Sequence, residues 1–151
     1  MDATLKIWAT NRKNIAGFVA QFSLAQLNHI PSGFSNNLVW NLGHIVVVQQ
    51  RLLYSVAGLP MAISATMLDQ YKTGSKPMSN TTQEEVDQLK LLLHSVVEST
   101  LADYKSGKFA TYKEFTTATG FLITSIDDAI VFNNYHEGLH LGLMMNIRKF
   151  I

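Results

Sequence analysis

Three histidines stand where a helical core ordinarily places leucine: His44, and the pair His136 and His140. The pair lies in Asn134-Tyr135-His136-Glu137-Gly138-Leu139-His140-Leu141-Gly142. An i, i+4 spacing puts two side chains on one helix face, one turn apart, so both imidazoles can close on one metal ion. A third ligand must come from another segment, and His44, in Asn41-Leu42-Gly43-His44-Ile45-Val46-Val47-Val48, is the best placed. Three histidines with an open position make a catalytic type of metal site, not a closed structural one. A cation held by neutral imidazoles keeps its full charge and can lower the pKa of a bound water or thiol toward neutrality. Each histidine alone also reads as a neutral core residue satisfied by hydrogen bonds. Together they need three separate partners or one shared cation, because an unpaired polar group in a core costs about 1–3 kcal/mol.

His136-Glu137-Gly138-Leu139-His140 also fits the H-E-x-x-H helix of zinc peptidases, in which the glutamate is the general base. Its surroundings do not follow, since the longer pattern wants Gly and His where Leu143 and Asn146 stand. The 11 residues after His140 leave no further helix to supply a ligand. Glu137 is rotated about 100° from His136. It is therefore expected at the edge of the site, as a proton acceptor or orienting partner, or else on the solvated face. Asn41, Asn133 and Gln49 are candidates to orient imidazole N–H groups. Trp40 and Tyr135 either line a pocket or pack in the core. His29, before Ile30-Pro31, and His94, beside Leu91–Leu93, read as structural.

Four helices must position these residues. The first carries Leu5, Trp8, Ile15, Phe18, Val19, Phe22 and Leu27 and ends near Pro31, with a break possible at Gly17 or Ser23. Asn36-Asn37 offers an N-cap for a second helix, Leu38 to Ala57, stopped by Gly58 and Pro60. Apolar nearly all round through Val39–Val48, it belongs at the centre. Residues 61–80 read as a loop with one short turn at Ala65–Tyr71. Thr82-Gln83-Glu84-Glu85 is a capping box for the third helix, which Ser106-Gly107-Lys108 ends. Residues 109–123, rich in Thr and aromatics, read as an ordered loop. Ser125-Ile126-Asp127-Asp128 opens the fourth helix, to Arg148. Its core seam is expected along Ala129, Phe132, His136, His140 or Leu139, Leu143 and Ile147. The result is an all-α four-helix bundle with long loops flanking helix 3.

At 151 residues and 47% hydrophobic, the chain is expected to form one globular domain, residues 1–151. Lys+Arg 12 against Asp+Glu 11, with no basic cluster, argues against nucleic acid as a partner. The absence of cysteine excludes disulfides, thiolate metal sites and cysteine nucleophiles. Met1-Asp2-Ala3-Thr4-Leu5-Lys6 lacks the pattern of a signal peptide, and no segment reaches the roughly 20 apolar residues of a membrane span. A soluble, cytoplasmic protein without a membrane partner is the expectation.

Three motifs carry a family resemblance: Trp40-Asn41-Leu42-Gly43-His44, Gly74-Ser75-Lys76-Pro77, and His136-Glu137-Gly138-Leu139-His140-Leu141-Gly142. In this order they resemble the DinB-like (DinB/YfiT) superfamily of four-helix-bundle metalloenzymes. The resemblance implies a bundle of up-up-down-down type and a divalent transition metal, nickel or zinc, on His44, His136 and His140. It also implies a homodimer and a small-molecule substrate, in some members a low-molecular-weight thiol used for S-transfer, in others a hydrolysable compound. The apolar surplus of helices 1 and 2 fits the same dimer. Leu143 departs from the pattern, since members frequently carry Gln after His-x-Gly; the resemblance therefore implies the metal site more directly than any one reaction. Non-catalytic metal binding and a metal-free interaction bundle stay open beside it.

Overall fold

The helix boundaries follow the capping residues. In a computed structural model that describes all 151 residues, α1 spans Asp2–Val19 and buries Leu5, Trp8, Arg12, Ile15, Phe18 and Val19, a stripe at helical spacing. The chain breaks over residues 20–23, where Ser23 and Gln26 form a capping box that opens α2, Leu24–Asn28. Asn37 accepts from the Trp40 amide at 2.8 Å and opens α3, Leu38–Gln50, of whose 13 residues only Val48 is not fully buried. This helix runs on as a π turn, Arg51–Ser55, marked by the Val56 amide donating to the Arg51 carbonyl at 3.2 Å. Gly58, at φ 73, ends it. Ser64 caps α4, Ala65–Tyr71, and Thr82 with Glu85 forms the expected capping box of α5, Gln83–Lys105. Ser125 accepts from the Asp128 amide and opens α6, Ile126–Ile147, which closes in a short 3-10 turn. None of these helices is long and apolar enough to cross a membrane.

Residues 109–123 do not remain a plain loop. Phe115–Thr116 (β1) pairs antiparallel with Leu122–Ile123 (β2), Phe115 opposite Ile123. Each strand finds its partner within the same segment, across a turn that contains Gly120 at φ 88.

The protein is thus an all-α bundle, in which α1 and α3 each pack on both α5 and α6. Side-chain pairs give the run directions. Asn134 bonds the Thr4 carbonyl and Glu137 pairs with Arg12, so α1 and α6 run parallel. Asn41 meets His140 while His44 lies beside His136, so α3 runs against α6. Gln49 bonds Thr100 and Tyr54 bonds Asp103, so α3 and α5 are parallel. The order is up-down-down-up, which corrects the up-up-down-down arrangement implied by resemblance. The physical reason is where the return path falls: residues 56–82 carry the chain back along α3 to its packed neighbour α5, whereas the connections after α1 and α5 cross to antiparallel helices on the diagonal of the bundle.

Two apolar clusters fill the bundle. One gathers Ile15, Phe18, Leu38, Leu42, Leu93 and Met144; the other gathers Leu5, Trp8, Leu53, Val97 and Ile130. Beside them lies a buried polar knot around Glu137. Arg12 Nε donates to both Glu137 oxygens at 2.9 Å and Nη2 to Oε1 at 2.7 Å. Trp8 Nε1, Asn133 Nδ2 and Asn11 Nδ2 donate to the same carboxylate at 2.8, 2.7 and 3.2 Å. Arg12 and Glu137 are 1% and 0% exposed. Glu137 therefore stands neither at the solvated face nor at the edge of the histidine site, because α1 presents it with a buried guanidinium. The seam of α6 turns with it: Ala129, Ile130, Asn133, Glu137, Met144 and Ile147 are buried, while Leu139 and Leu143 are exposed and His136 and His140 lie half-buried on the flank.

Removing one member of a buried pair strands the other, at about 3–5 kcal/mol. Glu137→Ala is expected to lose that much in chemical denaturation. A loss below about 1 kcal/mol would show that water replaces the carboxylate at little cost.

Candidate metal centre

Histidine side chains from two antiparallel helices meet on the flank of α6. His44 comes from the centre of α3, His136 and His140 from successive turns of α6, and each offers a ligand atom within 4.8 Å of the others'. Two metal–nitrogen bonds of about 2.1 Å span at most about 4.2 Å, so a pair at that limit closes by a small side-chain rotation. The ring centroids of His44 lie 5.3 Å from His136 and 4.7 Å from His140.

Two of the three imidazoles are fixed in tautomer. His44 Nδ1 lies 2.6 Å from the Tyr71 carbonyl, which only accepts, so Nδ1 carries the proton and Nε2 keeps its lone pair. His140 Nδ1 lies 2.7 Å from Asn41 Oδ1. The orientation of that amide follows from its other end, since Asn41 Nδ2 donates to the Asn37 carbonyl at 2.7 Å. Asn37 is held in turn by donating to the Asn28 carbonyl at 2.9 Å. His140 is thus also protonated on Nδ1, with Nε2 free. His136 differs, because its buried Nδ1 has no hydrogen-bond partner.

Electrostatics keep all three rings neutral. Burial pushes His136 down to about 3, helped by the charges of His140, His44 and Arg12. Burial likewise lowers His140 to about 4, with His44 contributing. His44 is lowered by burial, a shift that its bond to Tyr71 opposes and the charge of Arg51 reinforces. Neutral imidazoles with oriented lone pairs and one unpaired buried nitrogen are what a divalent transition metal requires of its ligands. The residues present fit such an ion.

Of the other sequence candidates, Asn41 orients a triad ring, whereas Asn133 serves Glu137 and Gln49 donates to Thr100. Glu137 is not brought to the triad, its oxygens being engaged by Trp8, Asn11, Arg12 and Asn133. Tyr135 is exposed and packs at a tilt against Phe121 and Phe132. His29 and His94 are exposed and remote from the cluster. A cleft of about 500 Å³ opens beside His44 and His136, walled by the π turn, the β1–β2 turn and Phe132.

A family model described as the DinB superfamily matches residues 7–144. The chain belongs to the DinB superfamily. No curated protein matches it.

The geometry explains the motifs of this DinB chain one residue at a time. Trp40 stacks on His44 with centroids 4.6 Å apart and planes 14° from parallel, and its Nε1 donates to Ser75 Oγ at 3.1 Å. That bond ties Gly74-Ser75-Lys76-Pro77 to α3. Gly43 matters for what it lacks, because a Cβ there would collide with the Tyr71 ring. The glycine lets α4 approach until the Tyr71 carbonyl reaches His44. Sequence reasoning missed Tyr71, although a glycine inside a buried helix, costing about 1 kcal/mol against alanine, was the available sign of a close approach.

Gly43→Ala is expected to displace Tyr71, destabilise the protein by about 1–3 kcal/mol and weaken metal affinity in titrations. Unchanged affinity would show that the Tyr71 carbonyl does not set the ring. The lowered histidine pKa values also fix a pH dependence. Between the unfolded value of about 6.5 and the folded values of about 3 and 4, the unfolded chain binds more protons. Chelator-treated protein should therefore lose melting temperature as pH falls from about 6.5 toward about 4. His136→Gln/His140→Gln should flatten that slope; an equal slope in the double variant would place the titrating groups elsewhere.

Proposed function

We propose that this chain binds a divalent transition metal, nickel or zinc, on His44, His136 and His140. We propose further that it works as a metal-dependent enzyme on a small molecule, by thiol S-transfer or hydrolysis. The observation that carries the reading is the convergence of three neutral imidazoles, one with an orphaned buried nitrogen, beside an open cleft. A bound cation supplies Lewis acidity, lowering the pKa of a water or thiol. The protein supplies the rest. Tyr71 and Asn41 hold two rings with Nε2 outward, Trp40 fixes the plane of His44, and Val48, Leu52 and Phe132 give the cleft apolar walls. Glu137 has no place in this chemistry, since its carboxylate is occupied.

Assembly as a cytoplasmic homodimer is part of the same reading, though its apolar support lies elsewhere than the sequence indicated. The surplus on α3 is consumed inside the bundle. The exposed apolar residues include Val131, Tyr135, Leu139, Leu143 and Met145 on α6, with Ile7 on α1. One observation favours a second reading, a non-catalytic, stress-associated metal protein: Leu143 stands where a polar group is common, leaving no such side chain one turn beyond His140. Turnover with thiols and electrophiles separates the two.

Elemental analysis of dialysed, reconstituted protein tests the metal itself. His44→Ala, His136→Ala and His140→Ala should each lose the ion while staying folded, and His29→Ala and His94→Ala should keep it. At a hundredfold excess over Kd the ion should add about 2.7 kcal/mol of stability, roughly 5–10 °C in melting temperature. Undiminished metal in His136→Ala sinks the assignment.

A further inference from the structure

The cleft beside the triad has a charge pattern of its own. Its 14 lining residues include Arg51 and no Asp, Glu or Lys. Arg51 is exposed on the cleft wall at the start of the π turn, a distortion frequent at functional sites. Its guanidinium takes part in none of the ion pairs of the protein, which join Arg12, Lys72, Lys90 and Lys108 to carboxylates. Its charge nonetheless reaches His44, lowering that ring's pKa. The hydroxyls nearby divide in two. Thr117 and Thr119 bond each other at 3.2 Å, whereas Ser55, Thr73 and Thr116 line the cleft without a side-chain partner. Val48, Leu52 and Phe132 make the remaining wall apolar, and about 500 Å³ is within the range of small-molecule sites.

We propose that this cleft receives a small organic anion. Its carboxylate or phosphate is held by Arg51 and the free hydroxyls of Ser55, Thr73 and Thr116. Its apolar body lies on Val48, Leu52 and Phe132, and its reacting end faces His44 and His136. The inference rests on the reading of the triad as a metal centre, because it takes that end as the reacting one. The planar guanidinium fork matches a carboxylate or phosphate in bidentate geometry, which an ammonium does not. Arg51 is then a specificity-determining residue: it selects charged over neutral substrates of the same shape, and the absence of any acidic lining residue removes the competitor that would neutralise it.

Calorimetric titration of the metal-loaded protein with benzoate and phenyl phosphate, against benzamide and benzyl alcohol, tests this directly. The anions should bind at least about tenfold more tightly than the neutral analogues. Arg51→Gln should shrink that preference to about twofold with metal content and melting temperature unchanged, and Arg51→Lys should restore it only in part. Two results overturn the proposal: no preference for anions in the wild type, or a preference that survives Arg51→Gln, which would assign anion binding to the cation alone. Metal analysis on the same samples reads the triad independently. A metal-free wild type with an Arg51-dependent preference keeps the anion site and removes the metal reading; a metal-loaded wild type without that preference does the reverse.

Discussion

A helix with no solvated face must find an internal partner for every polar side chain it carries, and α3 is such a helix. Leaving any of them unpaired costs about 1–3 kcal/mol, so their partners decide what packs where. Asn41 spans from the Asn37 carbonyl to His140 on α6. His44 takes the Tyr71 carbonyl, Gln49 takes Thr100 on α5, and Gln50 accepts from the Ala62 amide. Through these bonds one buried helix fixes the register of both neighbours and the course of the connection that returns along it. The candidate metal centre is a consequence of the same demand, met for His44 and His140 at one nitrogen each.

The two polar groups of the interior are resolved in opposite ways. Around Glu137 both carboxylate oxygens accept from several donors and the charge is paired, with only the Asn133 Oδ1 acceptor left without a partner. At the triad the pairing stops one partner short, at His136 Nδ1. Both groups rise from α6, separated by the rotation between adjacent residues, so a single helix delivers a paired charge on one side and a set of neutral imidazoles with an unpartnered nitrogen on the other. Deficits of this second kind are the ones an exogenous ligand can fill.

How much of this was legible in the sequence depends on the range of the interaction concerned. Caps are local, and Asn37, Thr82 and Ser125 marked three helix starts. The triad was legible because i, i+4 spacing is local and His44 lay in an otherwise apolar run. Glu137 was misplaced because its partner Arg12 lies 125 residues away, and an acidic residue among apolar ones reads as solvated unless that partner is known. The seam of α6 turned for the same reason. Helix direction was equally hidden, since α3 is apolar all round and carries no phase to show which neighbour it faces. The β1–β2 pairing, two residues on each side, is too short to leave an alternating pattern.

The return segment along α3 joins it at three places: Ala62 on Gln50, Tyr71 on His44 and Ser75 on Trp40. Parallel neighbours such as α3 and α5 require a segment of this kind, and the bundle has used it as more than a tether. Because the Tyr71 carbonyl favours the His44 tautomer with its proton on Nδ1, docking of the segment and availability of the Nε2 lone pair are coupled. By linkage, whatever binds that lone pair draws the segment onto the bundle by the same free energy. Binding at the histidine cluster would therefore be readable at the surface, in how firmly Ala62 and Ser75 stay docked on α3.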